Sequence, residues 1–314
     1  MQIRKEIPVG KLNLVLETGK IAKQAGGAVM ASYGDSVVLA TACIDRREKT
    51  NLGFIPLIVD YRQRTSAAGK IPGGFFKREG RPSTVETITS RLIDRSVRPQ
   101  LPKSLNREVQ IIGTAFSADP LYNVDVVAMN GAFAALAISS IPHEHILGAV
   151  RIGRVDGEFI INPNNDQLEE SEMDILVTGG TTSLVMVEGL ANQAPENVIA
   201  EGLERAHEEI ITIVRAIREI QEHTGREKEV FPEPEPDLAL AHTVRELAGD
   251  RIYKALTTTE GKHERYAAFD AVRDDVIAKL EEQLAEEENK DEMLREANHV
   301  LHDMEREVVR GRVV

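Results

Sequence analysis

The segment "GGFFKREGRP", residues 73–82, sets two adjacent phenylalanines between a glycine pair and the cations Lys77 and Arg78. Only eight phenylalanines occur in the chain and there is no tryptophan, so two side by side is a concentrated use of a scarce side chain. The run does not alternate as a half-buried strand does, and its glycines mark a loop. Aromatic faces beside cations can stack bases while the charges follow a phosphate backbone. In "PSTVE", which comes next, Ser83 and Glu86 have the spacing of a capping box, predicting a helix from there to about Val97. On that helix Arg91, Arg95 and Arg98 fall at i, i+4 and i+7, on one face, where guanidiniums suit bidentate phosphate contacts. Ile88 and Leu92 fall on a neighbouring stripe that can face the core. The chemistry these residues offer is a grip on single-stranded nucleic acid by Phe75, Phe76, Lys77, Arg78, Arg81, Arg91, Arg95 and Arg98. The same residues allow another reading, in which both rings pack beneath the loop and the arginines pair with acids.

Charge sets limits on that grip. The net charge is −13, which argues against a protein that coats nucleic acid nonspecifically through many phosphate contacts. From Arg62 to Arg107, however, eleven Lys/Arg face three Asp/Glu, whereas from Arg226 to the end fourteen face twenty-three. One basic segment in an acidic chain can focus an anion there and repel it elsewhere, unless local salt bridges neutralise it.

The elements that must position these residues read as α+β. "KLNLVLE" places Leu12, Leu14 and Leu16 on one face at period two. "AVMASYGDSVVLATACI" reads as two strands joined at Gly34-Asp35, and "GFIPLIVDY" and "REVQIIGTAFSA" as further strands. "DVVAMNGAFAALAISS" reads as a buried helix. Hairpins are expected at Asp156-Gly157 and at Gly179-Gly180. A long amphipathic helix follows, with Pro195 in its first turn and Gly225 at its end. "REKEVFPEPEPD" alternates proline with acids and reads as an extended linker, giving a first domain over 1–228, a linker over 229–237 and an all-helical domain over 238–314. In the last, Tyr266, Phe269, Val272, Val276, Leu280 and Leu284, then Met293, Ala297, Val300, Leu301, Met304 and Val308, recur at three- and four-residue steps of a small bundle.

Other chemistries are poorly supported. "TSAAGK" has Arg64 where a P-loop needs its first glycine and Ile71 where it needs Ser/Thr. His143 and His145, and His299 and His302, lack third and fourth ligands. "NPNNDQLEESEMD" reads as a solvated acidic surface. Cys43, the one cysteine, excludes an internal disulfide and reads as buried and inert. No run reaches the length of a membrane span, and "MQIRKEIPVGK" lacks an apolar signal core, so a cytoplasmic address without membrane contact is the simplest expectation.

"LETGKIAKQAGGAVMASYGDSVVLATA", "YRQRTSAAGKIPGGFFKREGRPS", "RLIDRSVRP" and "VVRGRVV" together resemble the signature segments of bacterial polynucleotide phosphorylases, and the resemblance runs through nearly the whole chain. It implies a first RNase PH-like domain (of the ribosomal protein S5 domain 2-like kind) followed by the family's all-helical domain, with a second RNase PH-like domain and KH and S1 domains beyond Val314. The family forms ring-shaped homotrimers and degrades RNA from the 3′ end with inorganic phosphate, releasing nucleoside diphosphates. It implies Mg²⁺ and phosphate as cofactor and co-substrate of the full-length enzyme, with neither bound to this portion, and self-association and degradosome-type proteins as partners. Its Phe-Phe-Arg-Arg loop lines the RNA entrance; here that loop reads Phe75-Phe76-Lys77-Arg78, and Arg81, Arg91, Arg95 and Arg98 match the arginines that follow. The serine-rich phosphate loop of the catalytic half has "SADPLYNVDVVAMNG" in its place. The catalytic Asp, second Asp and Lys have Leu168, Asp174 and Leu176. The resemblance therefore implies a non-catalytic half with no catalytic residue and no metal ligand of its own. The rival readings are a non-catalytic RNA-binding scaffold complete as it stands and a protein-interaction module built on the acidic bundle.

Overall fold

The computed structural model describes residues 1–49, 54–232, 238–285, 287 and 289–313. The chain divides into two units, residues 1–233 and 234–314. In the first, alternation builds a six-stranded sheet from β1 (Ile3–Val9), β2 (Leu12–Thr18), β3 (Gly27–Tyr33), β4 (Ser36–Glu48), β5 (Leu57–Arg62) and β6 (Arg107–Ser117). Their order is β1-β2-β3-β4-β6-β5, and β5 runs parallel to β6. Helix α1 (Thr84–Val97) lies between those two strands in sequence and packs on β5. A parallel pair needs such a crossover, and the capping-box helix supplies it.

Helix α2 (Val124–Ile138) is buried on every side, against β3, β4 and β6. Its alanines let it approach closely: a Cβ on Gly27 of β3 would stand 2.0 Å from the Ala135 carbonyl oxygen, so only glycine fits there. A second, antiparallel sheet follows, of β7 (Gly148–Val155), β8 (Glu158–Ile161), β9 (Met173–Gly179) and β10 (Leu184–Ala191), in the order β10-β9-β7-β8. Asn130 ties α2 to it. Its amide donates to the Val126 and Ala149 carbonyls at 2.9 and 2.8 Å and accepts from the Ala149 N–H at 2.9 Å, so a fully buried polar side chain is satisfied. The long helix α4 (Glu196–Thr224) packs on β7, β9 and β1.

Several expectations are corrected in detail. Pro195 is the N-cap of α4 rather than part of its first turn. Gly179 pairs with Leu184 within the sheet, and the turn is Gly180–Ser183. "NPNNDQLEESEMD" contains the short helix α3 (Asn165–Glu170), closed by an Asn164–Gln167 capping box. Residues 229–231 are bound to the first unit. The Glu229 N–H donates to the Ser140 carbonyl at 2.9 Å, its carboxylate pairs with Arg107, and Arg107 lies over the Phe231 ring. Lys228 donates to the carbonyls of Leu136, Ala137 and Ser139 at the end of α2. Residues 233–237 of the expected linker, and Gly53 of "GFIPLIVDY", lie outside the described residues.

In the second unit the described helices are α5 (Leu238–Ala248), α6 (Arg251–Thr258), α7 (Lys262–Gln283) and α8 (Lys290–Val313). Leu240, Val244, Ile252, Phe269, Val276, Leu280, Ala297 and Leu301 form their core. Tyr266, expected on that stripe, is 53% exposed, one turn before the core stripe of α7 begins at Phe269.

Candidate nucleic-acid interface

The loop's rings are not packed beneath it. Phe75 is 93% exposed and Phe76 76%, and every residue from 73 to 85 is exposed. The two rings meet edge to face, 5.4 Å between centroids at 87°, and the Arg78 guanidinium lies 5.8 Å from the Phe76 centroid. Two left-handed residues shape this tip: Gly74 at φ 76° and Lys77 at φ 50° flank the turn. Glycine adopts that conformation freely, whereas lysine bears a cost of about 1 kcal/mol for it. Two large apolar rings held in water by each other and by a cation are a solvent-facing platform.

Two glutamates anchor the segment that carries the tip. Glu79 accepts from the Thr65 N–H and hydroxyl at 3.1 and 2.7 Å. Glu86 is buried; its carboxylate accepts from the backbone of Gln63 at 2.9 Å and of Ser83 at 2.6 Å, completing the capping box of α1. Burial pushes the Glu86 carboxyl up, but the Ser83 and Gln63 amides, the Ser83 hydroxyl and Arg62 outweigh it and hold the group below its ordinary value.

The arginines of α1 divide. Leu92, Ile93, Ser96 and Val97 face the core, and the Ser96 hydroxyl meets that of Thr178 at 3.1 Å. Ile88, expected near the core, is 47% exposed because the buried stripe passes through Thr89 instead. Arg91 is exposed on the outer face and, among the described residues, has no ion pair; the same holds for Lys77 and Arg81 in the loop. Arg95 is exposed and pairs with Glu188. Arg98 is half-buried: it holds Asp94 with two hydrogen bonds, at 2.8 and 2.5 Å, and donates to the Ile55 carbonyl at 2.7 Å. Asp94 holds its guanidinium above the ordinary arginine value. The ridge drawn as three guanidiniums thus presents Arg91 freely and Arg95 through an exposed pair, which is weak enough to exchange for phosphate; Arg98 braces α1 against the start of β5.

The other cluster of charge is inside. Arg151 on β7 donates to both Asp174 on β9 and Asp125 in the first turn of α2. Burial pushes the Arg151 guanidinium down, but Asp125 and Asp174 outweigh it and keep it firmly charged. Asp125 also accepts from the Val126 N–H at 2.7 Å, so the positive end of α2 is occupied by the chain's own carboxylate. Leu176 is buried and Leu168 lies on α3. Among the described residues no three His, Cys, Asp or Glu side chains stand where they could share a metal ion. His143 accordingly has a structural setting, its ring nitrogen 3.2 Å from the Ile141 carbonyl; burial, then Lys228, pushes it down to about 4, so it is neutral at pH 7.

Three family models match in succession. Residues 12–142 match "3' exoribonuclease family, domain 1" and residues 145–209 match its domain 2, together more than half of the chain. The chain belongs to the 3′ exoribonuclease family. Residues 239–314 match "Polyribonucleotide nucleotidyltransferase, RNA binding domain". The polyribonucleotide nucleotidyltransferase of Geobacillus kaustophilus (strain HTA426) is 42% identical over 304 residues, which are 97% of this chain and 41% of that protein. The chain thus spans about two-fifths of the length of the curated relative it matches. The crystal structure of rice (Oryza sativa) Rrp46 aligns with a TM-score of 0.54 at 17% identity, covering 70% of this chain and 98% of that one, a likeness of fold. The family's fold, RNase PH-like α+β with a helical part after it, is therefore that of this chain.

Two features of this family member escaped the sequence. Asp125 and Arg151 carry no local motif; their pairing with Asp174 exists only once α2, β7 and β9 are assembled. Glu79 is one of three acids in the basic run from Arg62 to Arg107, and its hold on Thr65 exists only in the folded loop.

Proposed function

We propose that this chain is the RNA-gripping, non-catalytic first part of a polyribonucleotide nucleotidyltransferase. The observation that carries the reading is the exposed Phe75–Phe76 pair with Arg78 over Phe76, on a loop in which every residue from 73 to 85 is exposed. Exposed rings stack bases of any sequence, and the cations Lys77, Arg81 and Arg91, which have no ion pair among the described residues, with Arg95 behind its exposed partner, give phosphates a track. In the whole enzyme, phosphate attacks the 3′-terminal phosphodiester and a nucleoside diphosphate leaves, a transfer governed by positioning and charge neutralisation. The residues present here do not fit Mg²⁺: Asp174 is neutralised by Arg151, and its neighbours at the matching positions are leucines. Phosphate and Mg²⁺ chemistry thus belongs, in this reading, to a further RNase PH-like domain. A homotrimeric ring, degradosome-type partners and a cytoplasmic site of action complete the proposal. The absence, among the described residues, of any helix long and apolar enough to cross a membrane is compatible with it.

The test is single-stranded RNA binding by fluorescence anisotropy across salt, for the native chain and for Phe76→Ala combined with Arg78→Ala. Both side chains are in solvent, so unfolding free energy should move by less than ~0.5 kcal/mol. Affinity should fall about fivefold or more, at the lower end of one lost base stack. Unchanged affinity in a folded double variant would remove the loop from the reading. Nucleoside diphosphate released on adding phosphate and Mg²⁺ would contradict the non-catalytic assignment.

A further inference from the structure

The exposed tip of the loop is closed at a single residue. Thr65 opens a 3₁₀ turn, Thr65–Ala68, that is fixed to the first unit: Ala67 is buried, and its carbonyl accepts from the Ala118 N–H at 3.1 Å. The Thr65 carbonyl accepts from the Lys70 N–H at 3.0 Å, which holds the outgoing limb of the tip. The Thr65 N–H and hydroxyl both donate to one oxygen of Glu79, at 3.1 and 2.7 Å, which holds the returning limb. Both feet of the tip thus stand on one half-buried threonine. Between them, residues 71–78 make no hydrogen bond or ion pair with the rest of the unit among the described residues. A Cβ added to Gly73 or Gly74 would meet nothing within 4 Å, so the tip stands in open space.

The start of the turn needs an acceptor that the local chain lacks. Arg64, the residue before it, makes no side-chain cap, and a guanidinium has only donors to offer. Glu79 supplies the oxygen from fourteen residues away. Its charge works against RNA, because it follows Lys77 and Arg78 directly and repels the phosphates they attract. Its geometry works for RNA. A tip with its returning foot loose would have to be ordered as RNA binds, and each immobilised side chain lowers affinity. The repulsion comes from an exposed carboxylate and is screened by water and salt, whereas the ordering cost is not. Geometry should therefore outweigh charge.

We infer that Glu79 is a positioning residue for RNA. By clasping Thr65 it holds Phe75, Phe76 and Arg78 in place, so that an acid inside the basic segment strengthens the binding of single-stranded RNA. The inference rests on the reading of the loop as an RNA grip and assigns Glu79 no contact with a nucleotide.

The experiment measures oligouridine binding by fluorescence anisotropy across salt, together with trypsin nicking after Lys77 and Arg78 in the RNA-free chain. The chains are native, Glu79→Ala, Glu79→Gln, Thr65→Val and Thr65→Ser, with Phe76→Ala plus Arg78→Ala as the reference for a lost platform. Glutamine keeps the accepting oxygen and serine keeps the hydroxyl; alanine and valine remove them. Glu79→Ala should bind about threefold or more weakly than the native chain, although it sheds a negative charge. Its salt slope should be unchanged, since no cation is lost. Thr65→Val, which alters no charge, should weaken binding in the same direction. Glu79→Gln and Thr65→Ser should bind at least as tightly as the native chain. Nicking should quicken in Glu79→Ala and Thr65→Val and not in their conservative counterparts. Suppose instead that Glu79→Ala and Glu79→Gln bind equally, both more tightly than the native chain, while the Phe76/Arg78 double variant is weakened. Glu79 would then be a repelling charge and nothing more, which overturns the inference and leaves the loop reading intact. Faster nicking with unchanged affinity would reveal a clasp that RNA does not use, and would overturn it as well. Native affinity in every variant, the double one included, would remove the loop reading and the inference together.

Discussion

Arginines at two places in the same unit have opposite fates. At the loop and the outer face of α1, Arg78, Arg81 and Arg91 stand in water with no carboxylate partner among the described residues. Some strands away, Arg151 is clamped between Asp125 and Asp174 in a setting where its side chain is 13% exposed. Both places hold arginine. Only the first can meet a ligand's charge, because the second already has its counter-ions, and one of them sits at the end of a helix where an anion would otherwise be favoured. Whether a cation is available to a ligand is thus a property of the assembled strands, not of its residue type.

The largest effect that would sharpen this contrast is at Arg151. Replacing it by methionine leaves Asp125 and Asp174 facing each other, half or more withdrawn from water, without a cation. Breaking a buried pair by removing one partner costs about 3–5 kcal/mol. Urea unfolding of Arg151→Met should show a loss of that order, and adding Asp125→Asn and Asp174→Asn should recover part of it. A methionine variant as stable as the native chain would mean that the Arg151 ion pairs add nothing to the fold, and the contrast with the loop would collapse.

A smaller effect separates Arg98 from Arg91, neighbours on one helix. Arg98→Ala removes the hydrogen bonds to Asp94 and to the Ile55 carbonyl and should cost about 1–2 kcal/mol of stability. Arg91→Ala removes no ion pair among the described residues and should leave stability within ~0.5 kcal/mol. Its RNA-binding salt slope should fall by about 0.7, the share of one phosphate on a single strand. Matching salt slopes for native and Arg91→Ala chains would take Arg91 out of the phosphate track.

The difference between those two arginines shows what the sequence could convey. Helix α1, its capping box, the buried α2, the Asp156-Gly157 hairpin and the helical unit all follow from spacing, because local periodicity and turn chemistry decide them. The spacing also sets Arg91, Arg95 and Arg98 at i, i+4 and i+7, with Arg98 falling at the C-cap of α1. It could not say that β5 begins where Arg98 reaches the Ile55 carbonyl, or that Glu188 on β10 comes opposite Arg95, since those partners are distant in the chain. Tyr266 failed for a related reason: a helical stripe marks the residues that could be buried, and the neighbouring helices decide where the cover stops.

The smallest effect tests whether the loop's shape matters as well as its charge. Lys77 holds a left-handed φ of 50°, and that bend sets Arg78 over the Phe76 ring. Lys77→Gly and Lys77→Val remove the same charge. Glycine accepts the conformation, and its gain in native-state comfort is roughly offset by the extra freedom of the unfolded chain, leaving stability within ~0.5 kcal/mol. Valine, β-branched, is strained at positive φ and should swing the loop into an extended conformation, separating Arg78 from Phe76. Charge loss alone would weaken RNA binding equally in the two variants. If the platform must be preformed, Lys77→Val should bind a few-fold more weakly than Lys77→Gly at the same salt, with an equal salt slope, because the added loss lies in stacking rather than in phosphate contacts. Equal affinities would reduce the loop to a flexible tether of charges, and the edge-to-face pair would then be a resting contact that RNA does not use.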